Sequence, residues 1–133
     1  MRTVVIGGTG HIGTYLVPHL VETGCEVINI SRGQRQPYQP HSAWKHVQSI
    51  VIDREAADKA GTFGDQIRDL RPDVVIDNKC YTVDSARRLV EALRGQVQHL
   101  IVCGTLNLVI SKLCRKINCL EIYAYLPENS HRQ

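Results

Sequence analysis

The sequence predicts an α/β protein with a doubly wound, parallel five-stranded sheet between two layers of helices. Short runs rich in valine and isoleucine alternate with segments of about 10–15 residues that have helical periodicity, a pattern typical of parallel sheets covered on both faces. A glycine-rich turn, Gly7–Gly13, joins the first apolar run to the first helical segment. Right-handed crossovers then predict the strand order 3-2-1-4-5.

Each element follows from a local pattern of side chains. Helices are predicted where apolar residues recur at helical spacing, as Ile12, Leu16 and Leu20 do in the first one. Gly24 and Pro72 end the first and second helices, because neither residue continues a helix well. The predicted elements in chain order are a strand at 3–6, a helix at 12–23, a strand at 26–30, a loop at 31–42, a strand at 47–52, a helix at 55–71, a strand at 73–76, a helix at 83–93 and a strand at 99–102.

The glycine turn has the composition of a dinucleotide-binding loop. Gly8, Gly10 and Gly13 fit the spacing G-x-G-x-x-G, directly after an apolar strand. Glycine there allows a tight turn, a close approach of the backbone to a pyrophosphate, and close packing of the helix on the sheet. We favour a dinucleotide site at the positive end of the helix over a turn that binds nothing. The residues assigned to it are Gly7, Gly8, Thr9, Gly10, His11, Ile12 and Gly13.

The composition and charge exclude several classes of protein. The 133 residues are 43% hydrophobic and 22% charged, and the net charge of +3 is too small to indicate a nucleic-acid surface. No apolar run is long enough to span a membrane, and the amino terminus lacks a signal-peptide pattern, so we expect a cytoplasmic protein. The five cysteines form no C-x-x-C motif, which favours free thiols and no metal site.

The residues after the second strand favour NADP(H) over NAD(H) as the cofactor. NAD sites usually carry an aspartate or glutamate about 20 residues beyond the glycine turn. This chain has Ser31, Arg32 and Arg35 in that region and no acid. The hydroxyl can hydrogen-bond to a 2′-phosphate and the arginines can pair with its charge. The alternative is a basic loop that is merely solvated.

Polar residues after the third and fourth strands complete the candidate site. Asp53 is placed to accept a hydrogen bond from the adenine amino group, with Arg54 near it, although Asp53 is nearly as well suited to cap the next helix. Asn78 and Lys79 follow the fourth strand, at the carboxyl edge where ligands bind in such sheets. The alternative for this second pair is a simple turn.

With these motifs the chain resembles the NAD(P)-dependent epimerase/dehydratase family, the extended branch of the short-chain dehydrogenase/reductase superfamily. The resemblance covers about residues 2–105 and implies a Rossmann domain at 1–105. It also implies an oxidoreductase-type epimerase, dehydratase or reductase that acts on a sugar nucleotide or a similar carbonyl or alcohol substrate. The segments that carry it are 4–13, 31–33, 53–54, 73–77 and 99–105.

The resemblance also implies a catalytic residue. Family members place a serine or threonine just after the fifth strand, where its hydroxyl orients the reacting oxygen. Thr105 falls at that position, with capping of the next element as an equal alternative. The family's Tyr-x-x-x-Lys acid/base pair is missing, since no lysine lies four residues after any tyrosine. The segment 78–81 is also bulkier than the small residues that the family often has beside the nicotinamide ribose.

Residues 106–133 carry no family pattern. They predict a helix, a short strand and a frayed end. We interpret them as out-of-family sequence after a truncation or frameshift rather than as a genuine shortened ending. The chain is then the cofactor half of an enzyme whose substrate binds only in a fuller chain, a non-catalytic NADP(H)-binding or sensing module, or an inert fragment. An absent substrate lobe would expose apolar surface, so we expect self-association.

Overall fold

A computed structural model describes residues 1–103 and contains one parallel sheet in the order β3-β2-β1-β4-β5. The predicted fold class and strand order are confirmed. The expectations for Thr105 and for the tail at 106–133 lie outside the described residues. The strands are β1 (Arg2–Ile6), β2 (Glu26–Ser31), β3 (Gln48–Val51), β4 (Val74–Asp77) and β5 (His99–Val102).

Helices connect the strands and cover both faces of the sheet. In the described residues they are α1 (Gly13–Glu22), a short 3-10 helix (Ser42–His46), α2 (Arg54–Ala60), α3 (Phe63–Asp69) and α4 (Val83–Leu93). The bounds of α4 and β5 are those that the sequence predicts. Among the residues that the structure describes, no helix has both the length and the apolar character needed to cross a membrane.

The two faces of the sheet form two separate cores. On one face Val5 and Val27 pack with Val17 of α1, and the 3-10 helix adds Trp44. On the other face the larger core joins the sheet to α2, α3 and α4 through fully buried side chains. These include Phe63, Ile67, Leu89 and Leu93. Burial of side chains of this size contributes about 1.5–3 kcal/mol each, so this core fixes the three-layer arrangement.

The predicted helix at 55–71 is wrong in one respect, because it is two helices. Gly61 adopts a left-handed backbone (φ +74°) and ends α2, and α3 begins at Phe63. The N–H groups of Gly61 and Thr62 donate to the carbonyls of Asp58 and Ala57 at 3.1 and 2.9 Å. Such a left-handed ending satisfies the last carbonyls of a helix.

All five strands point the same way, so their carboxyl ends meet at one edge of the sheet. The glycine turn, the segments after β2 and β3, and the turn after β4 leave from this edge. The opposite, amino edge holds Arg2, whose backbone N–H donates to Asp73 Oδ2 at 2.7 Å and whose Nη1 donates to the Leu70 carbonyl at 2.9 Å. Met1 beside it is 65% exposed.

Candidate functional site

The glycine turn leaves β1 and enters α1 within a few residues. The N–H of Gly7 donates to the Ile30 carbonyl at 2.8 Å, and the N–H of Gly10 donates to the Gly7 carbonyl at 3.2 Å. Gly7 has φ +78°, a backbone that other residues adopt only with strain. The turn is therefore tied to the neighbouring strand β2 and needs glycine at its first position.

Two further glycines are required by close contacts inside the protein. A Cβ at Gly8 would overlap the side-chain amide of Asn29, whose Oδ1 accepts the Gly8 N–H at 3.0 Å. A Cβ at Gly13 would overlap the backbone of Gly8, because the first turn of α1 presses against the loop. Sequence reasoning missed Asn29, although an amide inside the apolar run of β2 is a signal of such a role.

Gly10 differs from these three glycines. Within residues 1–103, a Cβ built there would meet, beyond its chain neighbours, one atom within 4 Å: the Gly7 carbonyl oxygen at 3.4 Å, which is an ordinary contact. Its φ lies outside the left-handed region. The fold therefore does not itself demand glycine at this position, and the backbone is open on the outer side of the turn.

The first turn of α1 contains no acidic residue. The helix begins at Gly13 with no side-chain hydrogen bond at its Ile12 cap. His11 and Ile12 are exposed, and Thr9 is half-buried. The amino end of α1 has no side-chain cap and carries a positive potential, and the backbone of Gly10 beside it is open. This arrangement favours the binding of an anion.

Ser31, Arg32 and Arg35 follow Ile30 of β2, whose carbonyl accepts the N–H of Gly7 in the glycine turn. Ser31 ends β2, and its Oγ accepts the N–H of Gly33 at 3.2 Å, so the hydroxyl proton remains available for donation. Arg32 and Arg35 are exposed. Farther along the same segment Tyr38 stacks on His11, with ring centroids 4.3 Å apart.

Asp53 and Arg54 both have partners within the protein. Asp53 caps α2, where its Oδ1 accepts the Ala56 N–H at 3.3 Å. Arg54 points into the interior: its Nη1 lies 2.5 Å from both carboxylate oxygens of Asp77, and its Nε lies 3.3 Å from Asp58 Oδ2. The structure thus shows Asp53 as the cap of α2, the alternative role given above. The Arg54 guanidinium is paired with Asp77 and Asp58. Contact of either Asp53 or Arg54 with adenine stays a prediction.

The Arg54–Asp77 pair dominates the electrostatics beneath the site. Burial raises the pKa of Asp77, and Arg54 partly offsets that rise. Burial alone would lower the pKa of Arg54, but the carboxylates of Asp77 and Asp58 raise it. Burial raises the pKa of the Cys80 thiol to about 11 and also raises that of Cys103. Neither thiol is therefore an activated nucleophile.

Asn78 and Lys79 join the turn after β4 to the glycine turn. The Lys79 N–H donates to Asp77 Oδ1 at 2.9 Å, and its side chain passes over Gly7, with Cγ 2.6 Å from the position of a Cβ there. The Lys79 ammonium lies 5.9 Å from the ring centroid of Tyr81. The side-chain amide of Asn78 is buried and has no hydrogen-bond partner within residues 1–103. The structure thus brings Lys79, but not Arg54, to the glycine turn.

No group of three or more potential metal ligands occurs in the part of the chain that the structure describes. The site is built instead from backbone N–H groups, hydroxyls and cationic side chains at the carboxyl edge of the sheet. A parallel sheet with a glycine turn between β1 and α1, at the point where the strand order reverses, defines a Rossmann-type domain.

The family follows from the sequence. The model of the NAD-dependent epimerase/dehydratase family matches residues 3–110, and the chain belongs to this family. A search of curated protein sequences finds no match.

Solved structures show the same fold. A UDP-glucose 4-epimerase from Stenotrophomonas maltophila, with bound NAD and formylated UDP-arabinopyranose, matches 93% of this chain with a TM-score of 0.65 and 13% identity. A putative epimerase from Burkholderia cenocepacia matches 80% of it with a TM-score of 0.59 and 21% identity. A UDP-glucose 4-epimerase from Thermus thermophilus in complex with NAD matches 79% of it, with a TM-score of 0.54 and 22% identity. The match spans 52%, 38% and 38% of these chains, respectively.

Proposed function

We propose that this chain binds a nicotinamide dinucleotide in its glycine turn, with NADP(H) preferred over NAD(H), as the cofactor domain of an epimerase/dehydratase-type oxidoreductase. The observation that carries the proposal is Gly10. Three glycines of the turn are explained by contacts or backbone angles within the protein, and Gly10 is not. A ligand that approaches the backbone from outside supplies the missing reason for glycine there.

The surroundings of Gly10 fit a pyrophosphate. The amino end of α1, which has no side-chain cap, gives the turn a positive potential. The Lys79 side chain crosses Gly7 and brings a cation to the same turn. When bound, the cofactor would accept or donate a hydride; the residues of this chain hold its phosphates and set its position.

The preference for NADP(H) rests on the segment after β2. Ser31 retains a donatable proton, and Arg32 and Arg35 are exposed beside it. No acidic residue occurs between Glu26 and Asp53, so no carboxylate repels a 2′-phosphate there. Two of the three solved structures named above hold NAD, which supports a nicotinamide dinucleotide as the cofactor. The proposed preference for NADP(H) over NAD(H) depends on the segment after β2 alone.

We further propose that an enzyme with this domain acts on a sugar nucleotide or a similar carbonyl or alcohol substrate. Support comes from the family and from the UDP-glucose 4-epimerases among the matching structures. Thr105 is the residue proposed to orient the reacting oxygen. The absence of Tyr-x-x-x-Lys from the sequence favours a second candidate for this chain alone, a module that binds NADP(H) without turnover. Saturable NADPH binding without reductase or epimerase activity would support the module.

The Gly10→Ala variant tests the site. We expect the added methyl group to weaken NADPH binding about tenfold, because it stands where the pyrophosphate approaches the backbone. The melting temperature without cofactor should stay at the wild-type value, since a Cβ at Gly10 meets only one ordinary contact. Titration of NADPH fluorescence measures the first quantity and calorimetry the second. Wild-type affinity in a folded Gly10→Ala variant would contradict the proposal.

The Arg32→Ala variant tests the preference. Loss of one arginine from a 2′-phosphate should weaken NADPH binding about tenfold and leave NADH binding within twofold of wild type. Arg94, exposed where α4 ends near the amino edge of the sheet, provides a matched control because its loss removes the same charge elsewhere. Equal affinities of the wild-type chain for NADPH and NADH would overturn the preference, though not the dinucleotide site.

A further inference from the structure

Residues 32–41, here called the strap, run beside α1 and are attached at both of its ends, to the glycine turn that precedes it and to its last residue, Glu22. Near the glycine turn, the ring of Tyr38 lies flat on His11, with an angle of 11° between the ring planes. At the other end His41 Nε2 lies 3.3 Å from a carboxylate oxygen of Glu22, and His41 Nδ1 accepts the Ala43 N–H at 3.0 Å. The strap therefore follows the helix instead of extending into solvent.

The attachment at Tyr38 continues by hydrogen bonds to the glycine turn. The backbone N–H of Tyr38 donates to the hydroxyl oxygen of Thr14 at 3.1 Å. The Thr14 hydroxyl in turn donates to the Gly10 carbonyl at 2.7 Å. Thr14 is 3% exposed, so this connection is shielded from water. Tyr38, by contrast, is 51% exposed and belongs to neither core. Its contacts hold the strap in place but add little to the packing of the domain.

Both basic residues of the strap lie between fixed points. Arg32 is between Ser31 and Gly33, which are joined by the 3.2 Å hydrogen bond from the Gly33 N–H to Ser31 Oγ. Arg35 lies between Gly33 and Tyr38 and has no ion-pair partner in the described residues. A charged side chain on a segment that is already ordered loses less conformational entropy when it meets an anion.

We propose that Tyr38, stacked on His11, is a positioning residue that holds Arg35 and Arg32 at the place where a 2′-phosphate binds. The proposal rests on the proposed function and deepens it, because it names what sets the specificity of that site. Tyr38 touches no phosphate itself; it acts by fixing the segment that carries the arginines. The aromatic ring provides the attachment, and its hydroxyl group is not needed.

The test compares Tyr38→Ala with Tyr38→Phe in the full chain. Tyr38→Ala should weaken NADPH binding about three- to tenfold, the factor that corresponds to the loss of one aromatic pair, and leave NADH binding within twofold of wild type. Tyr38→Phe keeps the ring and should bind both cofactors as wild type does. His99→Ala is the control, since it removes an exposed aromatic ring from the edge strand β5, on the far side of the sheet from β3 and the strap.

Limited trypsin digestion provides a readout that does not depend on any cofactor. Arg32 and Arg35 are themselves trypsin sites within the strap. Release of the strap should speed cleavage after them several-fold in Tyr38→Ala, with wild-type rates in Tyr38→Phe and His99→Ala. Mass spectrometry of the fragments assigns each cut.

The outcomes separate this inference from the proposed function. Faster cleavage together with a selective loss of NADPH affinity supports it. An equal loss of NADPH and NADH affinity overturns it, because Tyr38 would then support the glycine turn as a whole. Unchanged cleavage in Tyr38→Ala also overturns it. If the wild-type chain shows no preference for NADPH, the proposed preference has failed, and the cleavage rates still decide whether Tyr38 holds the strap.

Discussion

Arg54 and Asp77 form a buried ion pair that joins the start of α2 to the end of β4. The Asp77 carboxylate is fully buried and the Arg54 side chain is 12% exposed, so each charge depends on the other. Asp77 also accepts the backbone N–H of Lys79, the residue that crosses the glycine turn. The pair therefore fixes the backbone next to the proposed pyrophosphate site while taking no direct part in it.

We predict that breaking this pair from either side destabilises the fold strongly. Asp77→Asn leaves the largely buried guanidinium with Asp58 in place of two carboxylates and should lower the free energy of unfolding by about 3–5 kcal/mol. Arg54→Met leaves a buried carboxylate and should cost a similar amount near neutral pH. The double variant should lose clearly less than the sum of the two single losses, as measured by urea unfolding. Additive losses would show that the two charges do not depend on each other.

The pH dependence of Arg54→Met has a definite sign. Without Arg54, the burial that raises the pKa of Asp77 is opposed mainly by the weaker effect of the Lys79 N–H hydrogen bond, so the folded state binds that proton more tightly than the unfolded state does. Stability is then greatest below the ordinary pKa of an aspartate and falls as the pH rises through the raised one. The deficit of Arg54→Met relative to wild type should accordingly be smaller at pH 5 than at pH 8.

At the scale of elements, the predicted and observed structures differ in kind at the break between α2 and α3, as they do at the unpredicted 3-10 helix Ser42–His46. Phe63, Ile67 and Leu70 continue a helical spacing that gives no sign of an interruption before them. The interruption is set by the backbone of Gly61 and allows α3 to pack against α4, where Gly64 lies against Ala92. Helical periodicity reports which side chains face the core, not whether the backbone is continuous.

Gly61 offers a clean test of that break. A Cβ at Gly61 would meet no atom of residues 1–103 within 4 Å, so Gly61→Ala introduces backbone strain without a clash there. We expect a loss of about 1 kcal/mol in the free energy of unfolding, measured by urea denaturation. Gly61→Asn should cost less, because asparagine tolerates the left-handed region better than alanine. No loss in Gly61→Ala would mean that α2 can extend through this position.

At the scale of the whole molecule, the edge strand β3 of the described sheet has an exposed apolar side chain. Val51 of β3 is 70% exposed, and in residues 1–103 β3 pairs only with β2. Parallel sheets normally bury such apolar groups, and an uncovered edge is a template for pairing with another chain. This edge is a specific place for the self-association that the sequence leads us to expect.

We predict that the chain self-associates with increasing concentration and that Val51→Lys reduces the effect. A charge on an edge strand opposes pairing between copies, while an exposed position tolerates the lysine. Sedimentation velocity over a hundredfold range of concentration measures the change in average mass. A wild-type chain that stays monomeric over that range contradicts the prediction. Self-association that is unchanged in Val51→Lys would place the contact elsewhere.

Much of this molecule follows from short-range sequence patterns. The strand order, the bounds of α4 and β5, and the position of the glycine turn are predictable because they depend on local periodicity and turn chemistry. The pairing of Arg54 with Asp77 and the stacking of Tyr38 on His11 are not, since they join distant residues that no local pattern connects. Those long-range contacts decide which charged residues remain free for a ligand.

The parallel sheet has a practical consequence for attaching the molecule to a surface. Met1 lies at the amino edge, and the five residues of β1 separate it from the glycine turn by about 15 Å at the usual rise of an extended chain. A biotin group on the α-amine would therefore anchor the domain with its carboxyl edge facing the solution. Cofactor binding to a sensor chip prepared in this way should proceed without obstruction by the support.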